Sequence, residues 1–227
     1  MVPRHALPVR LTHWVTALCF LALLVTGIEV LISHPRFYWG ESGNVLTPPL
    51  FKIPIPASRA TVPTGYGYVL PDQNGWSRRL HFQAAWVAVS TGLLYLMYGV
   101  ISGHFRRNLL PGLQDLSWTS LSGTIASHLR FRLRGEVYNV LQRITYLIVI
   151  FVLFPLVIWT GLAMSPAIAS ALPLTVILLG GQQSARTIHF FVSMLLFAFF
   201  VVHIVMVCVA GFRSRMRAMI VGERETL

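Results

Sequence analysis

Apolar residues gather in four long runs along this chain, and polar residues in the stretches between them. The runs extend over Leu11 to Ile32, Arg79 to Gly103, Val137 to Met164 and Arg186 to Gly211. Each is long enough to cross a bilayer as a helix, which takes about 20 residues. The last is the least interrupted, with no formally charged residue between Arg186 and Arg213. In the first, Val15 to Ile32 is broken only by small polar residues and Glu29. A charged start before an apolar stretch resembles a signal peptide, but no small-residue cleavage pattern follows and the run continues to spanning length. It is therefore expected to remain as the first transmembrane helix. Pro155 is expected to kink the third run, its freed carbonyl satisfied by neighbouring helices or Thr160. A further apolar piece, Ala167 to Leu179, is interrupted by Pro173 and too short to cross, which suits an interfacial or re-entrant segment.

The stretches between the runs differ in character. Ser33 to Arg78 is a 46-residue loop rich in proline, glycine and aromatics, expected to form an ordered cap on its own bundle or on a partner. Phe105 to Glu136 is a basic connector with Arg106, Arg107, Arg130, Arg132 and Arg134, and a short amphipathic helix is expected around Leu116 to Leu129. A basic tail, RSRMR, follows the fourth run.

Composition agrees with an all-α membrane protein, a bundle of four transmembrane helices in a single domain over 1–227. Hydrophobic residues make up 55% and charged residues 11% of the 227, a balance that a soluble domain would struggle to keep in solution. The formal charge of +11 is mostly arginine and sits between the runs, so it reports membrane topology and not nucleic-acid binding. The N-terminus, connector and tail hold eleven arginines, whereas the long loop and Arg186 supply six positive residues. This excess puts both termini and the connector 105–136 in the cytoplasm, with loop 33–78 on the opposite side of the membrane. Cys19 and Cys208 lie within apolar runs and no CxxCH is present, so neither disulfides nor covalent haem attachment is indicated.

The fourth run carries His189 and His203, fourteen residues apart. At about 100° per residue, both rings leave one face of the helix, separated along its axis by about 21 Å. One metal ion cannot take both, but two cofactors stacked through the membrane can each take one. Partners at matching heights are then required. His13, at the start of the first helix, matches His203, and His81, at the start of the second, matches His189. Two histidine pairs at two depths suit bis-histidine b-type haem, two per chain, whose six-coordinate iron carries one electron and offers no open position. Structural zinc wants four ligands at one point, and only two converge at each level. Arg10 on one side, and Arg79 and Arg186 on the other, are placed to pair with haem propionates. His104, just beyond the second helix, faces differently from His81 and reads as an interfacial residue.

The His13-Trp14 pair, His81 at the head of its helix, the YNVLQ…Y…P…TGLAMS pattern of the third helix and the fourteen-residue histidine spacing resemble the bacterial cytochrome b561 and nickel-hydrogenase cytochrome b family over nearly the whole chain. That resemblance implies a periplasmic haem on His81 and His189 and a cytoplasmic haem on His13 and His203. It also implies a site for menaquinone or ubiquinone near the cytoplasmic haem, drawing on Tyr138, Asn139, Gln142 and Arg143, with His104 a further candidate. The HPRFYWGESGN stretch is similar to the thiosulfate-reductase cytochrome b branch, which implies a periplasmic molybdopterin oxidoreductase as partner. Electrons would then pass between that enzyme and the membrane quinone pool. No hydride-binding glycine motif or nucleophile arrangement is present, so substrate chemistry is expected to lie elsewhere. One alternative is a stand-alone membrane oxidoreductase exchanging electrons between quinone and a small periplasmic species such as superoxide. A proton-relaying transporter is a third class, disfavoured because Glu29 is the lone candidate intramembrane carboxylate.

Overall fold

The computed structural model of the chain describes residues 5–44, 46–54, 76–112 and 140–222. Four helices of 24 to 28 residues carry the apolar runs: α1 (Leu7–Ser33), α2 (Trp76–Ile101), α3 (Val140–Ala163) and α6 (Gln182–Val209). Two short helices, α4 (Pro166–Ala171) and α5 (Leu174–Ile177), join α3 to α6, and α7 (Phe212–Ile220) follows it. Two-residue strands β1 (Arg36–Phe37) and β2 (Phe51–Lys52) pair antiparallel in the long loop. The expected helix around Leu116 to Leu129 and the polar residues Tyr138 and Asn139 lie outside the described residues. The class is an all-α membrane protein with four helices long and apolar enough to span.

Each long helix starts where its local chemistry permits. Pro8 occupies the first turn of α1, where its missing N–H costs nothing. The second helix begins at Trp76, ahead of Arg78 and Arg79, because charge at a membrane surface does not stop a helix. Likewise α6 begins at Gln182, four residues before Arg186, directly after Gly180 and Gly181 at φ 78° and 114°. Within α3, Val149–Leu153 widens into a π turn, and the Phe154 N–H reaches back to the Val149 carbonyl. Pro155 supplies the cause: it has no N–H for the ladder, and its ring crowds the carbonyl four residues earlier. Large apolar side chains stand out from these helices, among them Leu18 (67% exposed), Val100 (73%) and Val202 (59%). Such surfaces suit lipid, and the helical ladder satisfies the backbone there.

The chain divides into two compact units. In the unit made of His13–Gly92 and Leu156–Phe197, the long loop caps the head of α6. The Gly40 carbonyl accepts the N–H groups of Gln183 and Ser184 at 3.0 and 3.2 Å, and the Glu41 carboxylate accepts that of Gln182 at 3.3 Å. These are helix-start donors that no residue of the helix can satisfy, and a carboxylate there also complements the helix dipole. The Ser184 hydroxyl accepts the Gly40 N–H at 2.7 Å, and Thr187 donates to the Tyr38 carbonyl at 2.7 Å. Phe37 stacks on Phe51 and leans on Phe190, each at 4.6 Å. The loop is an ordered cap over its described residues, seated on its own helix. In the same unit, Ala163, Val176, Leu179 and Ala185 form a small core, and Trp159 donates to the Thr175 carbonyl at 3.1 Å, drawing α5 back alongside α3.

In the unit made of Met1–Thr12, Leu93–Pro155 and Ala198–Leu227, Arg10 donates to the carbonyls of Met219 and Ile220. A guanidinium thereby closes the C-terminal end of α7.

Candidate functional site

His81 lies six residues into α2 and His189 eight residues into α6. Their ring centres are 6.5 Å apart, with planes inclined at 59°. Two imidazole–metal bonds of about 2 Å each leave about 2.5 Å for the two half-rings. That is the separation of two imidazoles that ligate one ion from opposite sides.

The other nitrogen of each ring is already engaged. His81 Nδ1 lies 2.9 Å from Thr26 Oγ1, and His189 Nδ1 lies 2.9 Å from Thr160 Oγ1. Both threonines are fully buried, and each hydroxyl donates to the carbonyl four residues earlier, Ala22 at 2.7 Å and Leu156 at 2.8 Å. Among the described residues neither Nε2 has a hydrogen-bond partner. The space beside the rings is also open. Outside its own helix backbone, a Cβ at Gly27 would meet only His81 Cε1, at 3.7 Å, and one at Gly161 only His189, at 3.5 Å from Cε1. Two half-buried imidazoles with bare Nε2 atoms and a glycine-lined space beside each fit a bis-imidazole haem. Thr26, Gly27 and Gly161 were not apparent as site residues from spacing. Thr-Gly pairs stand in three of the spans, Thr26-Gly27, Thr91-Gly92 and Thr160-Gly161, and the first and the last of them line this site.

The remaining candidates fall as follows. His13, half-buried on α1, meets Trp14 edge-on at 5.2 Å. His203, half-buried on α6, stacks on Phe199 at 5.8 Å and 27°. These two histidines belong to different compact units. Arg186 donates to the His34 carbonyl and lies 5.3 Å over the Phe37 ring, so part of its guanidinium serves the loop. Arg79 is exposed, and Arg10, on α1, is engaged with the last carbonyls of α7. His104 lies beyond α2 in an aromatic frame of Tyr95, Tyr98 and Phe105, each 6.1 Å away, and its Nδ1 is 3.0 Å from Asn108 Nδ2. Phe105 itself rests against Gly99, where any Cβ would overlap the ring at 2.2 Å. Gln142 and Arg143 are in the first turn of α3, and Arg143 Nε is buried without a hydrogen-bond partner among the described residues.

Fold and site together fit an integral-membrane cytochrome of the b type. The chain belongs to the prokaryotic cytochrome b561 family, whose model matches residues 4–222. It is also 28% identical over 206 residues to a protein of Azospira oryzae named as a protein-methionine-sulfoxide reductase subunit, YedZ1, covering 87% of this chain and 86% of that one. No solved structure matches significantly. The family and the four apolar helices make this a multi-pass protein of the bacterial inner membrane, and the family implies b-type haem.

Proposed function

We propose that the chain carries electrons between a redox enzyme docked on its outer face and the quinone pool of the membrane, using two b haems. His81 and His189 would hold the outer haem, and His13 and His203 the inner. The observation that carries this reading is the imidazole pair at 6.5 Å with both Nε2 atoms bare. When bound, each haem would supply a one-electron couple.

The chain's own residues do the rest. The histidines ligate, and the apolar helices keep water from the site. Arg10, Arg79 and Arg186 each present five guanidinium donors, enough to serve a main-chain carbonyl and a propionate together. The excess of arginine on the N-terminus, connector and tail supports cytoplasmic termini. The relative's name supports a redox-enzyme partner, and a molybdopterin oxidoreductase is the type we propose. Its seat would be the outer loop, where Trp39, Leu46 and Leu50 are 61%, 90% and 60% exposed. The quinone would draw on Gln142 and Arg143, with Tyr138, Asn139 and His104 as further candidates.

The test is a reduced-minus-oxidised spectrum of the purified protein with a haem count. Two haems per chain are expected, and His189→Ala should remove one and leave the other. A variant that keeps both would end the assignment.

A further inference from the structure

His81 and His189 share a construction. Each imidazole is held through Nδ1 by a threonine on a helix other than its own: Thr26 of α1 for His81, and Thr160 of α3 for His189, both at 2.9 Å. Each threonine is followed by the glycine that leaves room beside the ring it holds.

The direction of the two hydrogen bonds follows from counting protons. A metal taken at Nε2 leaves the ring proton on Nδ1, so each hydroxyl must keep its one hydrogen for a carbonyl, that of Ala22 at 2.7 Å for Thr26 and of Leu156 at 2.8 Å for Thr160. Each Oγ1 can therefore only accept from the imidazole. The proton sits on Nδ1, and Nε2 is left as the lone-pair base that a metal takes.

Resting on the histidine assignment proposed above, the geometry points to Thr26 and Thr160 as positioning residues that set the reduction potential of the iron between His81 and His189. An acceptor on Nδ1–H makes the opposite nitrogen more basic, and a more basic axial ligand favours the oxidised iron. A hydroxyl that already donates is polarised into a better acceptor, and burial away from water strengthens the effect. Two threonines act on two ligands of one iron, so their effects have the same sign. The neutral hydroxyl tunes more gently than a carboxylate would, and it places no charge in the apolar interior.

The test compares Thr26→Val, Thr160→Val, the double variant and the two Thr→Ser variants in the full-length protein. The readouts are haem count, midpoint potentials by redox titration, and the low-spin ferric resonance. In the valine variants the midpoint of one haem should rise, further in the double variant, and its ferric signal should move while the other haem stays put. Serine should restore the wild-type values. Valine variants that keep both haems with both midpoints unchanged would overturn the proposal, as would serine variants that shift as far as valine, since a hydroxyl at that position would then not suffice to keep the wild-type potential. Loss of this haem in the valine variants with the serine variants normal supports it, and loss in both overturns it. Failure of the histidine assignment is separate, because His189→Ala would then leave both haems in place whatever the threonines do.

Discussion

At the scale of single residues, placement decides what a histidine can do. His104 sits beyond the spanning part of α2, and its imidazole is held below the ordinary 6.5, first by burial and then by the Arg107 guanidinium. A lowered folded pKa means that the unfolded chain takes up the proton first as pH falls. The stability this residue contributes is thus complete above about pH 6.5 and is lost as pH falls through that value toward the folded pKa. The melting midpoint of the wild type should fall more steeply on acidification than that of His104→Gln. Parallel curves for the two proteins would show that His104 does not carry the effect. The ligand candidates His81 and His189 were readable as residue types at matching heights. Their threonine holders were not, because a threonine in a membrane helix satisfies its own hydroxyl through the preceding turn and so looks self-sufficient.

Among the elements, α6 depends most on a distant part of the chain. Its start is built from Gly40 and Glu41 of the loop, packed against Gly181. A Cβ at Gly181 would lie 2.4 Å from the Gly40 carbonyl carbon and oxygen, and its φ of 114° is foreign to L side chains. Gly181→Ala should therefore cost on the order of 1–3 kcal/mol from backbone strain alone, with the cap loosened in addition. Thermal unfolding in detergent measures it, and an unchanged midpoint would contradict the packing described. The apolar run announced α6 as a spanning helix, yet its first four residues were hidden, since Gln182 to Ala185 carry no apolar period of their own.

For the whole molecule, the arginine distribution predicts which side each terminus faces. A fluorescent reporter that matures only in the cytoplasm should be active when fused after residue 222, and a periplasm-dependent phosphatase should be active when inserted in loop 33–78. The reverse result would invert the orientation and exchange the inner and outer histidine pairs. The loop's aromatics were legible as signs of order, but their seat on Phe190 and Phe191 was not.

The sequence by itself determined that four helices cross a membrane, because a long uncharged run has no other place to satisfy its backbone and hide its side chains. It also determined that His189 and His203 share a face, because helical period is local. Tertiary structure alone decided what holds the imidazoles of His81 and His189 and what closes the head of α6. Thr26 stands 55 residues from His81, Thr160 stands 29 from His189, and Glu41 stands 141 from Gln182. Contacts of that separation arise from how helices pack, and no periodicity along the chain records them.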